Sequence, residues 1–226
     1  MIQSLKKAFP YTLPILTGYA FLGLAYGLLM NRTGLSFTWV MAMSGLVFAG
    51  ALQFAAIPLL TGLFNPLAAF TLALLVNIRH VFYGISMLSK YRNMGIKKFF
   101  TIYMMADEAF SIQAAVDLKE EDNPQLFYFF TALICYLYWN SFSLMGYFLG
   151  QYVPSSIVGF DFVLTALFYI LFLNQWEHPE HRPYLLIGVG ATLISLFVLG
   201  KSNFLLGSMV LILLLIFMVK EKKHDE

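Results

Sequence analysis

Residues 37–64 read FTWVMAMSGLVFAGALQFAAIPLLTGLF, a run of 28 residues without a charged side chain. As one helix the run would extend about 42 Å, whereas the hydrocarbon core of a bilayer is only about 30 Å thick. It is also interrupted by Gly45, Gly50, Pro58 and Gly62, and both residue types weaken helices. The run therefore predicts a transmembrane segment that is broken or re-entrant.

Most of the remaining chain consists of similar apolar runs. They cover residues 9–30, 66–88, 99–116, 125–149, 162–176, 184–199 and 204–219. A transmembrane helix needs about 20 apolar residues, whereas a transmembrane strand needs about 10 residues of alternating polarity. None of these runs alternates. We predict an all-α fold, a polytopic integral membrane helical bundle with about six to eight apolar segments.

The composition excludes several functional classes. Hydrophobic residues make up 60% of the 226 residues and charged residues only 12%, about half of the 25% that is usual in soluble domains. Such a chain cannot cover a water-facing surface, which excludes a soluble enzyme, a nucleic-acid-binding protein and a disordered chain. The net charge of +2 implies no polyanionic partner, and Cys135 alone cannot form a disulfide framework.

The basic residues suggest the membrane topology. They cluster at residues 6–7, 90–98 and 220–223, and short cytoplasmic loops are rich in Lys and Arg. Three apolar runs separate the first two clusters and five separate the last two. All three clusters can therefore be cytoplasmic only if one run in each group re-enters. A faint repeat supports two inverted halves, residues 1–120 and 121–226, an arrangement found in many secondary transporters.

Several side chains in the apolar runs are costly in lipid, where a central charge costs about 3 kcal/mol. They are Gln53, Asn77, Arg79, His80, Asp107 and Glu108. At helical spacing Arg79 shares a face with Tyr83, and Asp107 with Ser111. Arg79 can balance one acid, so the other must be protonated, pair with protonated His80 or meet a substrate cation. An Arg–Asp pair alone can be purely architectural, but so many polar groups at one depth favour a functional site.

Other features are weaker. The sequence His178-Pro179-Glu180-His181 resembles a metal pair, but Pro179 breaks the helix that such a pair requires, so we expect no metal. Gly23 and Gly27 are spaced for close helix packing. There is no nucleophile constellation and no nucleotide-binding motif, so we expect neither an enzyme nor a cofactor.

A set of motifs in fixed order resembles the AzlC family of branched-chain amino-acid permeases. The motifs are Pro14 with Gly18, Gly23, Ala25 and Gly27; VFAGALQFAA at 47–56; NIRH at 77–80; DEAF at 107–110; and DFVLTALF at 161–168. The resemblance implies a single transmembrane transporter domain over residues 1–226, multi-pass in the bacterial cytoplasmic membrane. It further implies export of branched-chain amino acids with a small AzlD-type membrane subunit. Leu52 stands where the family commonly has Ser, so only the class of substrate is carried over.

The residues fit this implied function. A zwitterionic amino acid needs a carboxylate donor, an ammonium acceptor and an apolar slot. Arg79, with Asn77 or Gln53, could donate to the carboxylate of the substrate. Asp107 or Glu108 could accept from its ammonium group. The apolar slot for the substrate side chain is assigned to Phe48, Gly50, Phe54 and Phe110. The coupling proton is assigned to His80 or Glu108. The alternative is an ion- or proton-conducting channel subunit, which would use the same polar set without a side-chain pocket.

Overall fold

The computed structural model describes residues 1–63, 65–116, 118, 123–154, 162, 165–166, 169, 172–173, 176–177, 179 and 182–222. The chain divides into two compact units, Met1–Val163 and Leu164–Glu226. Helices and turns, with no strand, make up the described ranges, which confirms the all-α prediction. Most of the predicted segment 162–176 and of the motif at 161–168 lies outside the described residues.

Eight helices make up the described part of the first unit. They are α1 (Ile2–Arg32), α2 (Phe37–Ala42), α3 (Gly50–Thr61), α4 (Pro66–Asn77), α5 (Arg79–Met87), α6 (Ile96–Tyr103), α7 (Asp107–Ala115) and α8 (Pro124–Gly150). In the second unit, α9 (Arg182–Lys222) is interrupted at Gly200, whose φ of 67° is not helical. Gly207 lies against Leu199 and Ser195, so the two halves of α9 fold back on each other as a hairpin.

Two helices within the described ranges are long and apolar enough to cross a membrane by length and composition, Ile2–Arg32 and Arg182–Gly200. Helix α8 has 27 residues, enough length to cross, but its tyrosines, Trp139 and Asn140 lower its hydropathy. Two shorter apolar helices, Phe37–Val47 and Gly50–Thr61, follow α1. The total of six to eight segments stays a prediction.

The core of the first unit is the contact between α1 and α8, which small residues allow. A Cβ atom added to Gly27 would lie 2.5 Å from the backbone nitrogen of Tyr147, and one added to Gly146 would lie 2.7 Å from the Cα of Leu24. Neither position has room for a side chain. The structure thus confirms the packing role predicted for the glycine spacing of α1.

We expect Gly27→Ala to destabilise the protein by about 1–3 kcal/mol, because the added methyl group must push two backbones apart. Gly18→Ala is the matched control on the same helix, since nothing lies within 4 Å of its added Cβ. The control should be neutral or stabilising by up to about 1 kcal/mol, because alanine favours helix. Thermal unfolding in detergent measures both, and equal melting temperatures would contradict close α1–α8 packing.

The predicted break in residues 37–64 is present. Helix α2 continues as a π-helical turn over Met43–Val47, and Phe48 then adopts a left-handed conformation with φ 44° and ψ 48° before α3 begins. The Gly45 carbonyl accepts hydrogen bonds from the hydroxyls of Tyr136, at 2.9 Å, and Tyr103. Pro58 lies inside α3 and does not mark the break.

The two runs that carry the charged motifs are not single helices, which corrects the sequence interpretation. Asn77 ends α4 and Arg79 begins α5. Likewise, α6 ends at Tyr103, and α7 begins at Asp107. Both acids therefore lie in the first turn of α7, where the helix dipole favours negative charge. The charged motifs occupy helix junctions rather than helix centres.

The other end of α7 is held by the segment after α5. The Lys90 ammonium group donates to the carbonyls of Gln113, at 2.7 Å, and Ala114, at 3.1 Å. These carbonyls lie in the last turn of α7, where helices leave acceptors unsatisfied. The buried amide of Gln113 in turn donates to the Tyr128 carbonyl of α8 at 3.0 Å. Helix α7 is therefore fixed at its far end, so the position of its N-terminal acids is well defined.

Candidate functional site

An ion pair joins the two helix junctions. Arg79 Nη1 lies 2.5 Å from Asp107 Oδ2, and the Tyr83 hydroxyl donates to Asp107 Oδ1 at 3.0 Å. Arg79 and Tyr83 contact the same carboxylate, so they share a face as their spacing predicts. The side chains of Arg79 and Asp107 are each 38% exposed. The pair is therefore half-buried and accessible to a ligand.

Glu108 points to a different helix. Its Oε2 accepts a hydrogen bond from the Tyr19 hydroxyl of α1 at 2.6 Å. Because Arg79 forms its ion pair with Asp107, Glu108 is the acid that Arg79 does not balance. The hydrogen-bond partner of Glu108, the Tyr19 hydroxyl, is neutral. A carboxyl group with a neutral partner can lose or gain a proton without breaking an ion pair.

Gln53 is fully buried and joins the two sides of the break. Its Nε2 donates to Ser44 Oγ at 3.1 Å, and its Oε1 accepts from Trp139 Nε1 at 2.8 Å. Ser44 precedes the break and Gln53 follows it. Both ends of the amide are thus engaged inside the protein, which favours a structural role for Gln53 over binding a substrate carboxylate. Gly50 lies beside the same indole, with its added Cβ 3.0 Å from the Trp139 ring.

The three predicted phenyl groups pack on three different tyrosines. Phe48 lies on Tyr136, with ring centroids 4.9 Å apart, and Phe54 lies on Tyr26, at 5.3 Å. Phe110 stacks on Tyr83 at 4.3 Å. Since Tyr83 donates to Asp107, Phe110 is the phenyl group placed at the ion pair.

Asn77, at the end of α4, and His80, in the first turn of α5, lie close to Arg79 in the chain. His80 Nδ1 is 3.1 Å from the Asn77 carbonyl oxygen, and its ring packs edge-on against Tyr83 at 5.4 Å. Two buried polar atoms here, Asn77 Oδ1 and Arg79 Nε, have no hydrogen-bond partner among the described residues. One acceptor and one donor of the cluster are therefore buried and unsatisfied among the described residues.

Comparison with known proteins identifies the family. A sequence model of the family described as AzlC protein matches residues 14–153, an interval that contains every candidate site residue. The chain belongs to the AzlC family. A Bacillus subtilis (strain 168) protein named branched-chain amino acid transport protein AzlC is 42% identical over 92% of this chain and 82% of its own length.

Other relatives match nearly the whole chain. A Haemophilus influenzae protein named uncharacterized membrane protein is 33% identical over 96% of this chain and 89% of its own length. A Helicobacter pylori (strain 26695) protein with the same description is 30% identical over 98% of this chain and 97% of its own length. No solved structure matches the chain. Its family and relatives make this AzlC protein a membrane transport protein.

Sequence reasoning missed the aromatic residues that connect the polar groups of this AzlC protein. Tyr19 binds Glu108, and its ring packs edge-on against Trp139 at 5.4 Å. Trp139 in turn binds Gln53. The available signal was the residue type, because a buried Tyr or Trp in an apolar run usually finds a partner for its polar end.

No metal site emerges in the part of the chain that the structure describes, where no three His, Cys, Asp or Glu side chains cluster. His178, Glu180 and His181, which resembled a metal pair, lie outside the described residues.

Proposed function

We propose that this AzlC protein is a secondary transporter that exports branched-chain or related apolar amino acids across the bacterial cytoplasmic membrane. The observation that carries the proposal is the 42% identity, over 92% of the chain, to the protein named for branched-chain amino acid transport. In this proposal residues 1–226 act as one multi-pass transporter domain, and a small AzlD-type membrane protein is the second subunit.

The polar cluster supports recognition of a zwitterion. Arg79 already contacts Asp107 through Nη1, but its Nε has no partner in the described structure and is suited to a substrate carboxylate. Asn77 Oδ1 and the Asp107 carboxylate are acceptors for an ammonium group. Phe110, stacked on Tyr83, supplies an apolar wall for the substrate side chain. This assigns binding to the ion-pair region, with Phe48, Gly50, Gln53 and Phe54 supporting the break.

Proton coupling is assigned to Glu108, with His80 as the second candidate. Glu108 is separate from the ion pair and hydrogen-bonded to a neutral hydroxyl, so its charge can change while Arg79 stays paired. Binding of the substrate and of the proton then uses different side chains of adjacent residues. Coupled transport requires each ligand to influence the other's binding, and a change of charge at a neighbouring residue can exert that influence.

The alternative is a channel for protons or ions, and transport in cells distinguishes the two. Cells that lack other exporters are grown on toxic analogues of leucine and valine, with and without this protein and its small partner. An exporter raises the tolerated concentration of the branched analogues and leaves that of a toxic lysine analogue unchanged. Unchanged tolerance of every analogue, with increased proton leak, would favour the channel.

A further inference from the structure

We infer that Tyr19 is the positioning residue of Glu108 and that it links the charge of this carboxyl group to the break between α2 and α3. The inference rests on the proposed function, since it concerns the acid to which coupling is assigned. It adds a residue on α1 and a physical route from that acid to the broken helix.

The first step is the contact at the acid. The Tyr19 side chain is buried, at 5% exposure, and its hydroxyl donates to Glu108 Oε2 at 2.6 Å. The other titratable or charged groups near Glu108 are Asp107 on its own helix, Arg79 and Tyr83 on α5, and Cys135 on α8. An ionised carboxylate accepts the tyrosine hydrogen bond, and this bond favours the charged form. A protonated carboxyl group is itself a donor, so it no longer holds the Tyr19 hydroxyl as a donor to its charged oxygen.

The second step leads from Tyr19 to the break. The Tyr19 ring packs edge-on against Trp139 with centroids 5.4 Å apart. Trp139 Nε1 donates to Gln53 at 2.8 Å, and Gln53 donates to Ser44 at 3.1 Å. These four side chains lie in the interior, at 5% exposure or less. The route is therefore contiguous and ends on both sides of the break.

The third step is the consequence for the backbone. The break contains a π-helical turn and a left-handed Phe48, a conformation that non-glycine residues adopt only where the surroundings support it. Gln53 is one of these supports, because its amide spans from α3 to Ser44. A change in the Tyr19–Glu108 hydrogen bond moves the Tyr19 ring, against which Trp139 packs. The position of Trp139 Nε1, which donates to Gln53, changes with it. Protonation of Glu108 thereby biases the arrangement of the broken helix.

The test uses Trp139 as a reporter in the full chain with its small partner. The other two tryptophans are replaced, Trp39→Phe and Trp176→Phe, and Trp139 emission is recorded between about pH 5 and 8. We expect the emission to titrate with one midpoint. In Glu108→Gln the titration should vanish. In Tyr19→Phe the emission change should fall at least about fivefold, because the hydroxyl that transmits it is gone.

A transport readout in proteoliposomes accompanies the fluorescence. In Tyr19→Phe the pH of half-maximal leucine exchange should rise by about one unit, since losing a donor to the carboxylate raises its proton affinity about tenfold. The matched control is Tyr138→Phe, because the Tyr138 hydroxyl is buried with no hydrogen-bond partner among the described residues. The control should keep both the emission titration and the exchange profile of the wild type.

The outcomes separate the inference from the proposed function. A Trp139 emission that does not titrate in the wild type, or that still titrates in Glu108→Gln, overturns the inference even if Tyr19→Phe does not fold. A folded Tyr19→Phe with wild-type emission and pH profile also overturns it. Absence of leucine transport in the wild type refutes the proposed function alone, because the emission measurement needs no substrate.

Discussion

Arg79→Ala is expected to abolish leucine export and to destabilise the protein by about 1–3 kcal/mol. Removing the arginine leaves the Tyr83 hydroxyl as the remaining side-chain partner of the Asp107 carboxylate among the described residues. Breaking a fully buried pair costs about 3–5 kcal/mol, but both side chains here keep 38% exposure, which lowers the cost. Leucine efflux and thermal unfolding in detergent measure the two effects.

The double variant Arg79→Ala/Asp107→Ala separates binding from architecture. It removes both charges, so we expect stability to return to within about 1 kcal/mol of the wild type while export stays lost. Arg92→Ala is the matched control, because Arg92 is exposed and outside the cluster, and it should change neither property. Full export by the double variant would show that the pair is only structural.

Glu108→Gln is expected to uncouple transport from the proton gradient. Glutamine keeps the shape and can accept the Tyr19 hydrogen bond, but it cannot release a proton. The variant should still exchange leucine for leucine across the membrane and lose net export driven by a proton gradient. Its exchange rate should become nearly independent of pH between about 5 and 8, because the carboxyl group to which the pH dependence is assigned is absent.

The control for this variant is Glu177→Gln, which changes an exposed acid in the second unit and should leave coupling intact. Proton-driven export that persists unchanged in Glu108→Gln would remove this residue from the mechanism. His80, which packs on Tyr83 beside the ion pair, would then be the next residue to test.

The sequence predicted those features that the membrane itself imposes. A run of 28 uncharged residues is too long for one crossing, so a break was expected in residues 37–64, and the structure has it at Phe48 and Ala49. Charges in lipid must be compensated, so the pairing of Arg79 with an acid was also expected. Arg79 pairs with Asp107, whereas Glu108 is hydrogen-bonded to Tyr19. No local pattern in the sequence indicates the contact with Tyr19.

The features that sequence reasoning missed depend on contacts between distant helices. Hydropathy favoured Pro58 and the glycines equally as break positions, but the hydroxyls of Tyr103 and Tyr136 meet the Gly45 carbonyl and favour a break nearby. The helix junctions at Ile78 and at residues 104–106 lie within runs that hydropathy treats as continuous segments. The contacts of the Gln53 amide with Trp139 and Ser44 were likewise not indicated by the sequence.

The most direct test of proton-coupled export is leucine movement in proteoliposomes that contain this protein and the proposed AzlD-type subunit, under an imposed proton gradient. Proton-coupled export predicts that the proton gradient drives labelled leucine against its concentration gradient in the wild type, and that an uncoupler abolishes the movement. It also predicts that lysine is not moved. Leucine that only equilibrates, at a rate unaffected by the proton gradient, would contradict proton-coupled export.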